Sequence, residues 1–215
     1  MGGALLGTAW VVAVFLSAGT LHWLAGWLFV AVTVAGLGLH RAHVARHNPE
    51  LLHRRQRLGE GTKAWDKFWL AVFWPLMMSV AVVGGIDVVR RHGEPLPAWA
   101  FLAGAALYGL GMAVSAWAMG VNPHFEGAVR IQPDQRPITA GPYRCLRHPG
   151  YAGLVLWALA MPLLLRSRWA WVPALAAAGW VAVRTALEDA LLLRELPGYR
   201  EYASRVRHRL LPGLW

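Results

Sequence analysis

Charged residues are scarce in this sequence and absent from three long segments. Asp, Glu, Lys and Arg make up 15% of the 215 residues, whereas soluble domains contain about 25%. None of them occurs in residues 2–39, 68–86 or 95–125. Because a soluble helix must show charge on the face turned to water, these gaps exclude a soluble globule. They predict helices that lie in a lipid bilayer.

Cysteine and the common nucleotide-binding motifs are also lacking. The sequence has one cysteine, Cys145, so an intramolecular disulfide framework is excluded. It contains no Gly-x-Gly-x-x-Gly, no Walker A motif and no Gly-x-Ser-x-Gly nucleophile elbow. Any nucleotide cofactor must therefore be held by something other than a Rossmann fold. The first apolar run has no basic region before it, and we interpret it as a retained helix and not as a signal peptide.

What the sequence does contain is a series of apolar segments separated by turn residues. We predict membrane-spanning helices near residues 4–20, 24–42, 67–86, 97–120, 150–165 and 169–190. The predicted fold is all-α, a polytopic transmembrane helix bundle of about five to six spans. The last two spans can instead form a tilted helical hairpin.

Basic residues are distributed unequally between the connections. Seventeen of the 21 Lys and Arg residues lie in residues 40–67, residues 121–149 or the segment from Arg184 onward. The positive-inside rule therefore places both termini and the two long loops in the cytoplasm of a multi-pass cell-membrane protein. The net charge of +10 suits anionic lipid at these helix ends, so no nucleic-acid partner is predicted.

Residues 139–153 are the densest candidate site. The segment carries polar and aromatic side chains just before the fifth span: Tyr143, Arg144, Arg147, His148 and Tyr151. Pro149 is predicted to occupy the first turn of that span. Free backbone N–H groups at a helix start can hold an anionic group such as a carboxylate. The alternative is a basic interfacial loop that contacts lipid headgroups.

A second candidate site lies where the last apolar run meets charged residues. Arg184 and Glu188 are four residues apart, so they share a helix face. Ionisable groups at membrane depth usually face a cavity or a partner. The carboxylate could bind a ligand ammonium group, with Arg184 holding it in place. The alternative is an ordinary ion pair on a helix that leaves the bilayer.

Two further patterns leave more than one interpretation open. The arginines and the tyrosines Tyr199 and Tyr202 of the C-terminal tail could close over a nucleotide-like ligand, or they could form an amphipathic interfacial helix. His40, His43 and His47 fall on one helical side, which resembles half of a metal site. A juxtamembrane basic helix explains these histidines better, and no metal site is predicted.

Three ordered motifs together resemble a known enzyme family. The run Gly141-Pro-Tyr-Arg-Cys-Leu-Arg-His-Pro-Gly-Tyr-Ala-Gly153 resembles the Gly-x-Tyr…Arg-His-Pro-x-Tyr-x-Gly signature of isoprenylcysteine carboxyl methyltransferase-like and phospholipid methyltransferase-like membrane enzymes. Arg184 followed by Glu188-Asp189 resembles the family's Arg and acidic pair, with Asp as the second acid. The tail from Pro197 onward is similar to the closing segment. The resemblance covers residues 121–215.

The resemblance implies a site for S-adenosylmethionine at the cytoplasmic face, built from the loop and the C-terminal helix. By this resemblance the cofactor-binding residues are Gly141, Tyr143, Arg147, His148, Pro149, Tyr151, Gly153, Glu188, Tyr199 and Tyr202. The catalytic residues would be Glu188, which holds the cofactor's α-amino group, and Arg184, which orders the site or the substrate.

The resemblance also implies how the chain divides and what it acts on. Residues 1–120 would form the substrate side, and residues 121–215 the methyltransferase-like region. The methyl acceptor would be a lipophilic or small molecule with a carboxylate, amine or thiol group. We expect a lipophilic acceptor to enter sideways from the bilayer, and we expect no obligate protein partner.

Two other functions compete with this interpretation. Membrane reductases of the sterol and steroid reductase type have a similar C-terminal region but use NADPH. A site for NADPH would need more basic residues to bind its extra phosphate, whereas the acidic Glu188-Asp189 pair favours a cationic cofactor. A non-enzymatic scaffold or small transporter is the third possibility. A transporter would show ionisable or broken-helix features at the bilayer midplane, whereas the charges here cluster at the cytoplasmic ends.

Overall fold

A computed structural model describes residues 2–54, 62–132, 135–213 and 215 of the chain. These residues form eight α-helices and contain no strand. The helices are α1 (Gly2–Ala18), α2 (Leu24–His47), α3 (Pro49–Arg54), α4 (Ala64–Gly85), α5 (Ala98–Val121), α6 (Pro149–Leu165), α7 (Trp171–Glu195) and α8 (Tyr199–Arg205). The all-α prediction is therefore confirmed.

Each of the six predicted apolar segments is a helix. Among the described residues, three helices are long and apolar enough to cross a membrane: α2, α5 and α4 together with the π-helical turn Ile86–Arg90 that continues it. Helix α6 is apolar but only 17 residues long, and α7 is longer but carries charges in its C-terminal half. The number of five to six spans remains a prediction.

Helix α2 contains the second predicted span and continues beyond it. It ends at His47, five residues after the span was predicted to end, so His40, His43 and His47 lie on a helix, as the interpretation of a juxtamembrane basic helix requires. His43 and His47 lie one turn apart, and their ring centroids are 4.2 Å from each other. In the described part of the chain, no group of three or more His, Cys, Asp or Glu side chains could hold a metal ion. Arg55, Arg57 and the side chain of His53 lie outside the described residues.

Glycines allow α5 and α6 to pack closely enough to position the candidate site. A Cβ atom added to Gly153 would lie 2.5 Å from the Gly111 carbonyl oxygen, and one added to Gly111 would lie 2.8 Å from the Gly153 carbonyl oxygen. Side chains at both positions would force the two backbones apart. This close packing fixes the start of α6 against α5, and with it Tyr151 in the first turn and His148 just before the helix.

Helices α4 and α7 are joined at two levels. The indole N–H of Trp69 donates to the Trp180 carbonyl at 2.7 Å, and the indole N–H of Trp180 donates to the Trp69 carbonyl at 3.2 Å. At the other end of α4, buried Asp87 accepts a 2.6 Å hydrogen bond from the Ser167 hydroxyl in the turn before α7. As a result, the charged half of α7 lies beside the first turns of α4.

Candidate functional site

A turn at Gly141 and the start of α6 at Pro149 position the loop that carries the candidate site residues. Gly141 has a φ of 56°, a conformation that side chains with a Cβ atom rarely adopt. It opens a 3₁₀ turn over Gly141–Arg144. His148 is the N-cap of α6, and Pro149 occupies the first turn of that helix, as predicted. His148 therefore lies at a fixed helix start and not on a freely moving loop.

The C-terminal tail lies against this loop. The backbone N–H groups of Arg147 and His148 donate to the carbonyls of His208 and Arg209 at 2.9 and 3.0 Å. The Tyr202 hydroxyl donates to the Tyr143 carbonyl at 2.8 Å. These bonds join a segment near residue 145 to one some sixty residues later. The loop and the tail thus form one unit.

Asp189 connects this unit to α7. Its side chain is fully buried, and one carboxylate oxygen lies 3.2 Å from His148 Nε2 and 2.9 Å from the Tyr199 hydroxyl. The other oxygen lies 2.9 Å from Arg209 Nε and 3.3 Å from Arg147 Nη2. A buried carboxylate requires such a set of donors.

Tyr199 is held in its neutral form by its surroundings. Burial raises the pKa of its hydroxyl well above the usual value, and the negative charge of Asp189 raises that pKa further. The hydroxyl therefore stays protonated and donates to Asp189 throughout the physiological pH range.

A cavity, here called the polar cavity, lies over His148 between the loop, α7 and the tail. Seven of the predicted site residues line it: Tyr143, Arg147, His148, Tyr151, Glu188, Tyr199 and Tyr202. The Tyr151 hydroxyl donates to Glu188, and the rings of His148 and Tyr151 are stacked with centroids 5.8 Å apart. The cavity therefore combines a carboxylate, an arginine and several aromatic rings.

Three predicted cofactor-binding residues do not line the polar cavity. Gly141 turns the chain beside Trp117, Pro149 starts α6, and Gly153 packs against α5. In the structure they shape the backbone that carries the lining residues.

A second cavity, here called the apolar cavity, adjoins the polar cavity. It encloses about 490 Å³ among α2, α4, α5 and α6. Its lining is mainly apolar, with Trp69, Phe73, Trp74, Met112, Leu154 and Trp157 prominent. Phe125, Glu126 and Tyr151 line both cavities, so the two share a wall.

Arg184 lines the apolar cavity, whereas Glu188 lines the polar one. The Arg184 guanidinium lies 2.9 Å from a carboxylate oxygen of Asp66, and it donates to the Gly127 carbonyl at 3.1 Å. It also stacks over the Trp69 ring at 4.3 Å. The ion pair considered between Arg184 and Glu188 is thus replaced by one with Asp66, and Glu188 is bound by Tyr151.

Sequence reasoning missed several residues around the two cavities. Asp66 is fully buried in the first turn of α4, and the signal that could have found it was an acid immediately before an apolar run. Glu126, paired with Arg130 at 2.7 Å, lines the shared wall. Asn122 donates to the Tyr143 hydroxyl at 2.9 Å. These two loop positions carry no motif that would have distinguished them from surface residues.

Comparison with known proteins bears on the same part of the chain. Residues 104–194 match the model of the isoprenylcysteine carboxyl methyltransferase family, and this segment contains most of α5, all of α6 and most of α7. No curated protein matches the chain. The family match implies membrane methyltransferase activity, and with the apolar helices it indicates an integral membrane protein. The match contains the first two motifs and ends before the tail motif that begins at Pro197; it confirms the resemblance to this family and supports assignment of this chain to an isoprenylcysteine carboxyl methyltransferase-like family.

Proposed function

We propose that this protein transfers a methyl group from S-adenosylmethionine to a lipophilic acceptor at the cytoplasmic face of the membrane. The observation that carries the proposal is the shared wall at Tyr151. On one side lies a polar cavity with Glu188, and on the other lies an apolar cavity with Arg184. Methyl transfer needs the two reactants to meet in line with water excluded, which is mainly a matter of positioning.

The side chains of the polar cavity suit the parts of S-adenosylmethionine. Glu188 would hold its ammonium group, because carboxylates bind ammonium through charge-assisted hydrogen bonds. Arg147 Nε is buried and has no hydrogen-bond partner among the described residues, so it offers a donor for the cofactor's carboxylate. Tyr199, Tyr202 and the other rings would pack against the adenine. When bound, the cofactor would supply a sulfonium-activated methyl group.

The polar cavity must open to accept a molecule of this size. It encloses about 90 Å³, whereas sites for small molecules usually enclose about 300 Å³ or more. We therefore expect cofactor binding to move part of the cavity lining outward.

The apolar cavity would take the acceptor. Its aromatic lining suits a hydrocarbon chain, and Arg184 together with Tyr151 would orient the reacting group toward the polar cavity. Entry would be lateral, between helices, so that the apolar tail never crosses water. A carboxylate, an amine and a thiol remain the candidate reacting groups. Equal methylation of one reacting group with and without its lipid tail would argue against lateral entry.

Ligand binding tests the cofactor assignment directly. We expect the purified protein in detergent to bind S-adenosylhomocysteine and not NADPH in calorimetry. Glu188→Gln should weaken S-adenosylhomocysteine binding about tenfold or more, the loss typical of a charged hydrogen bond. Glu201→Gln on α8 is the matched control, because Glu201 is exposed, lies 3.5 Å from Arg205 and lines neither cavity. Unchanged affinity in Glu188→Gln, or preferential binding of NADPH, would overturn the proposal.

We propose five to six spans with both termini and the loop before α6 in the cytoplasm, and the side of this loop can be tested directly. Cys145 is exposed, lies in the loop before α6 and is the one cysteine in the sequence. A membrane-impermeant maleimide should leave it unlabelled in intact cells and label it after permeabilisation. Labelling in intact cells would place the loop, and the site with it, on the outer side.

A further inference from the structure

Asp66 lies outside the segment that matches the family, yet it contacts one lining residue of each cavity, Val129 of the polar cavity and Arg184 of the apolar cavity. It stands in the first turn of α4 and is fully buried. One carboxylate oxygen accepts a 2.7 Å hydrogen bond from the Val129 N–H in the cavity-forming loop. The other lies 2.9 Å from the Arg184 guanidinium on α7. Asp66 therefore holds the loop, α4 and α7 in one arrangement.

Two ion pairs lie beside the apolar cavity. Arg184 is paired with Asp66, and Glu126 is paired with Arg130 at 2.7 Å. Arg184 is about 5% exposed, so water cannot compensate its charge. Arg184 Nε is buried with no hydrogen-bond partner among the described residues. Arg184, which lines the cavity, therefore has its positive charge paired with Asp66 and still has one N–H group that could donate to a ligand if the side chain turned.

We propose that Asp66 is a specificity-determining residue that sets how strongly the apolar cavity binds an anionic headgroup. By neutralising Arg184 and fixing it over Trp69, Asp66 lets the cavity accept a lipophile through a hydrogen bond without a strong net attraction for anions. This inference rests on the proposed function, in which the apolar cavity holds the acceptor. Removing the negative charge of Asp66 leaves Arg184 as a buried cation without its paired carboxylate.

The test compares an anionic lipophile with a neutral one of the same chain length. Binding of radiolabelled dodecanoate and dodecanol is measured in phosphatidylcholine nanodiscs at about pH 8, where the acid is ionised, with empty nanodiscs subtracted. We expect Asp66→Asn to raise the dodecanoate-to-dodecanol affinity ratio about tenfold or more, since close unpaired charges interact strongly in a protein interior. A purely structural defect would weaken both lipids together and leave the ratio unchanged.

Asp87→Asn is the matched control. Asp87 is also buried, lies at the far end of the same helical segment, and also accepts a hydrogen bond from a backbone N–H, that of Trp169 at 3.3 Å. Its variant should leave the affinity ratio at the wild-type value. An equal shift in both variants, an unchanged ratio in Asp66→Asn, or the failure of both lipids to bind the wild type would each overturn the inference.

A second pair of variants keeps the test decisive if Asp66→Asn does not fold. Arg184→Gln should lower the dodecanoate-to-dodecanol affinity ratio. The double variant that combines Asp66→Asn with Arg184→Gln should return the ratio toward the wild-type value. A double variant that keeps the Arg184→Gln ratio would contradict charge balancing. S-adenosylhomocysteine binding is measured on the same samples: its absence from the wild type, with the expected lipid ratios, would overturn the cofactor assignment alone.

Discussion

Replacing Asp189 by Asn should loosen the unit formed by the loop, the tail and α7. The carboxylate is fully buried and lies within 3.3 Å of four groups, three of which can carry positive charge. The largest cost should fall on Arg147, whose buried charge would lose its partner, because its side chain is 9% exposed. The Arg209 side chain is 31% exposed and can turn to water. Asparagine keeps the shape and one hydrogen-bond acceptor but removes the charge.

The size of the effect follows from the burial of the pair. Breaking a buried ion pair by removing one partner costs about 3–5 kcal/mol, because the other charge remains buried. The retained hydrogen bond from Tyr199 and the partial exposure of Arg209 place this variant near the lower end, at about 3 kcal/mol. Unfolding by a graded mixture of sodium dodecyl sulfate and mild detergent would measure this difference from the wild type.

Limited proteolysis with trypsin would show where the loosening occurs. The tail contains Arg205, Arg207 and Arg209, and two backbone hydrogen bonds attach it to Arg147 and His148. We expect faster cleavage in this tail in Asp189→Asn and wild-type rates in Glu201→Gln. Asp189→Asn with unchanged stability and unchanged cleavage would show that the carboxylate does not hold the unit together.

Two further predictions concern packing and pH. Gly153→Ala should destabilise the protein by about 1–3 kcal/mol, because its Cβ atom would lie 2.5 Å from the Gly111 carbonyl oxygen. Gly109→Ala, whose Cβ atom would meet nothing within 4 Å, should be neutral or stabilising in the same unfolding assay. Equal effects of the two substitutions would contradict the close packing of α5 and α6. Since the pKa of Tyr199 is raised in the folded state, its contribution to stability is complete below about pH 10 and is lost as the pH rises toward the folded value. Tyr199→Phe should therefore flatten the alkaline decline of stability, and an unchanged slope would argue against the buried hydrogen bond to Asp189.

The helices could be predicted from the sequence because the bilayer removes most alternatives. Long runs without charge must satisfy their backbone groups internally, so each run becomes a helix. The predicted start of α6 at Pro149 is confirmed as well, since proline before an apolar run marks a first turn. The continuation of α2 to His47 agrees with the helix predicted for the histidines that follow the second span.

The candidate site could be predicted only where a motif keeps its residues close in the sequence. Four residues of the loop motif and the two tail tyrosines do line one cavity: Tyr143, Arg147, His148, Tyr151, Tyr199 and Tyr202. Asp66 and Asn122 reach the same region from α4 and from the end of α5. Contacts between residues so far apart depend on how the helices pack, and neither hydrophobic periodicity nor local spacing contains that information.

The acidic pair of α7 shows most clearly what the sequence cannot predict, namely the direction in which each side chain points. Glu188 and Asp189 are neighbours with the same charge, but successive residues of an α-helix point about 100° apart. Glu188 faces the polar cavity and is bound by Tyr151, whereas Asp189 faces the protein interior and is bound by His148 and Tyr199. Sequence alone cannot say which acid faces a ligand. The two should therefore separate experimentally: Glu188→Gln should lose S-adenosylhomocysteine affinity at nearly normal stability, and Asp189→Asn should lose stability first. If Asp189→Asn instead weakened binding without destabilising the protein, the roles of the two acids would have to be exchanged.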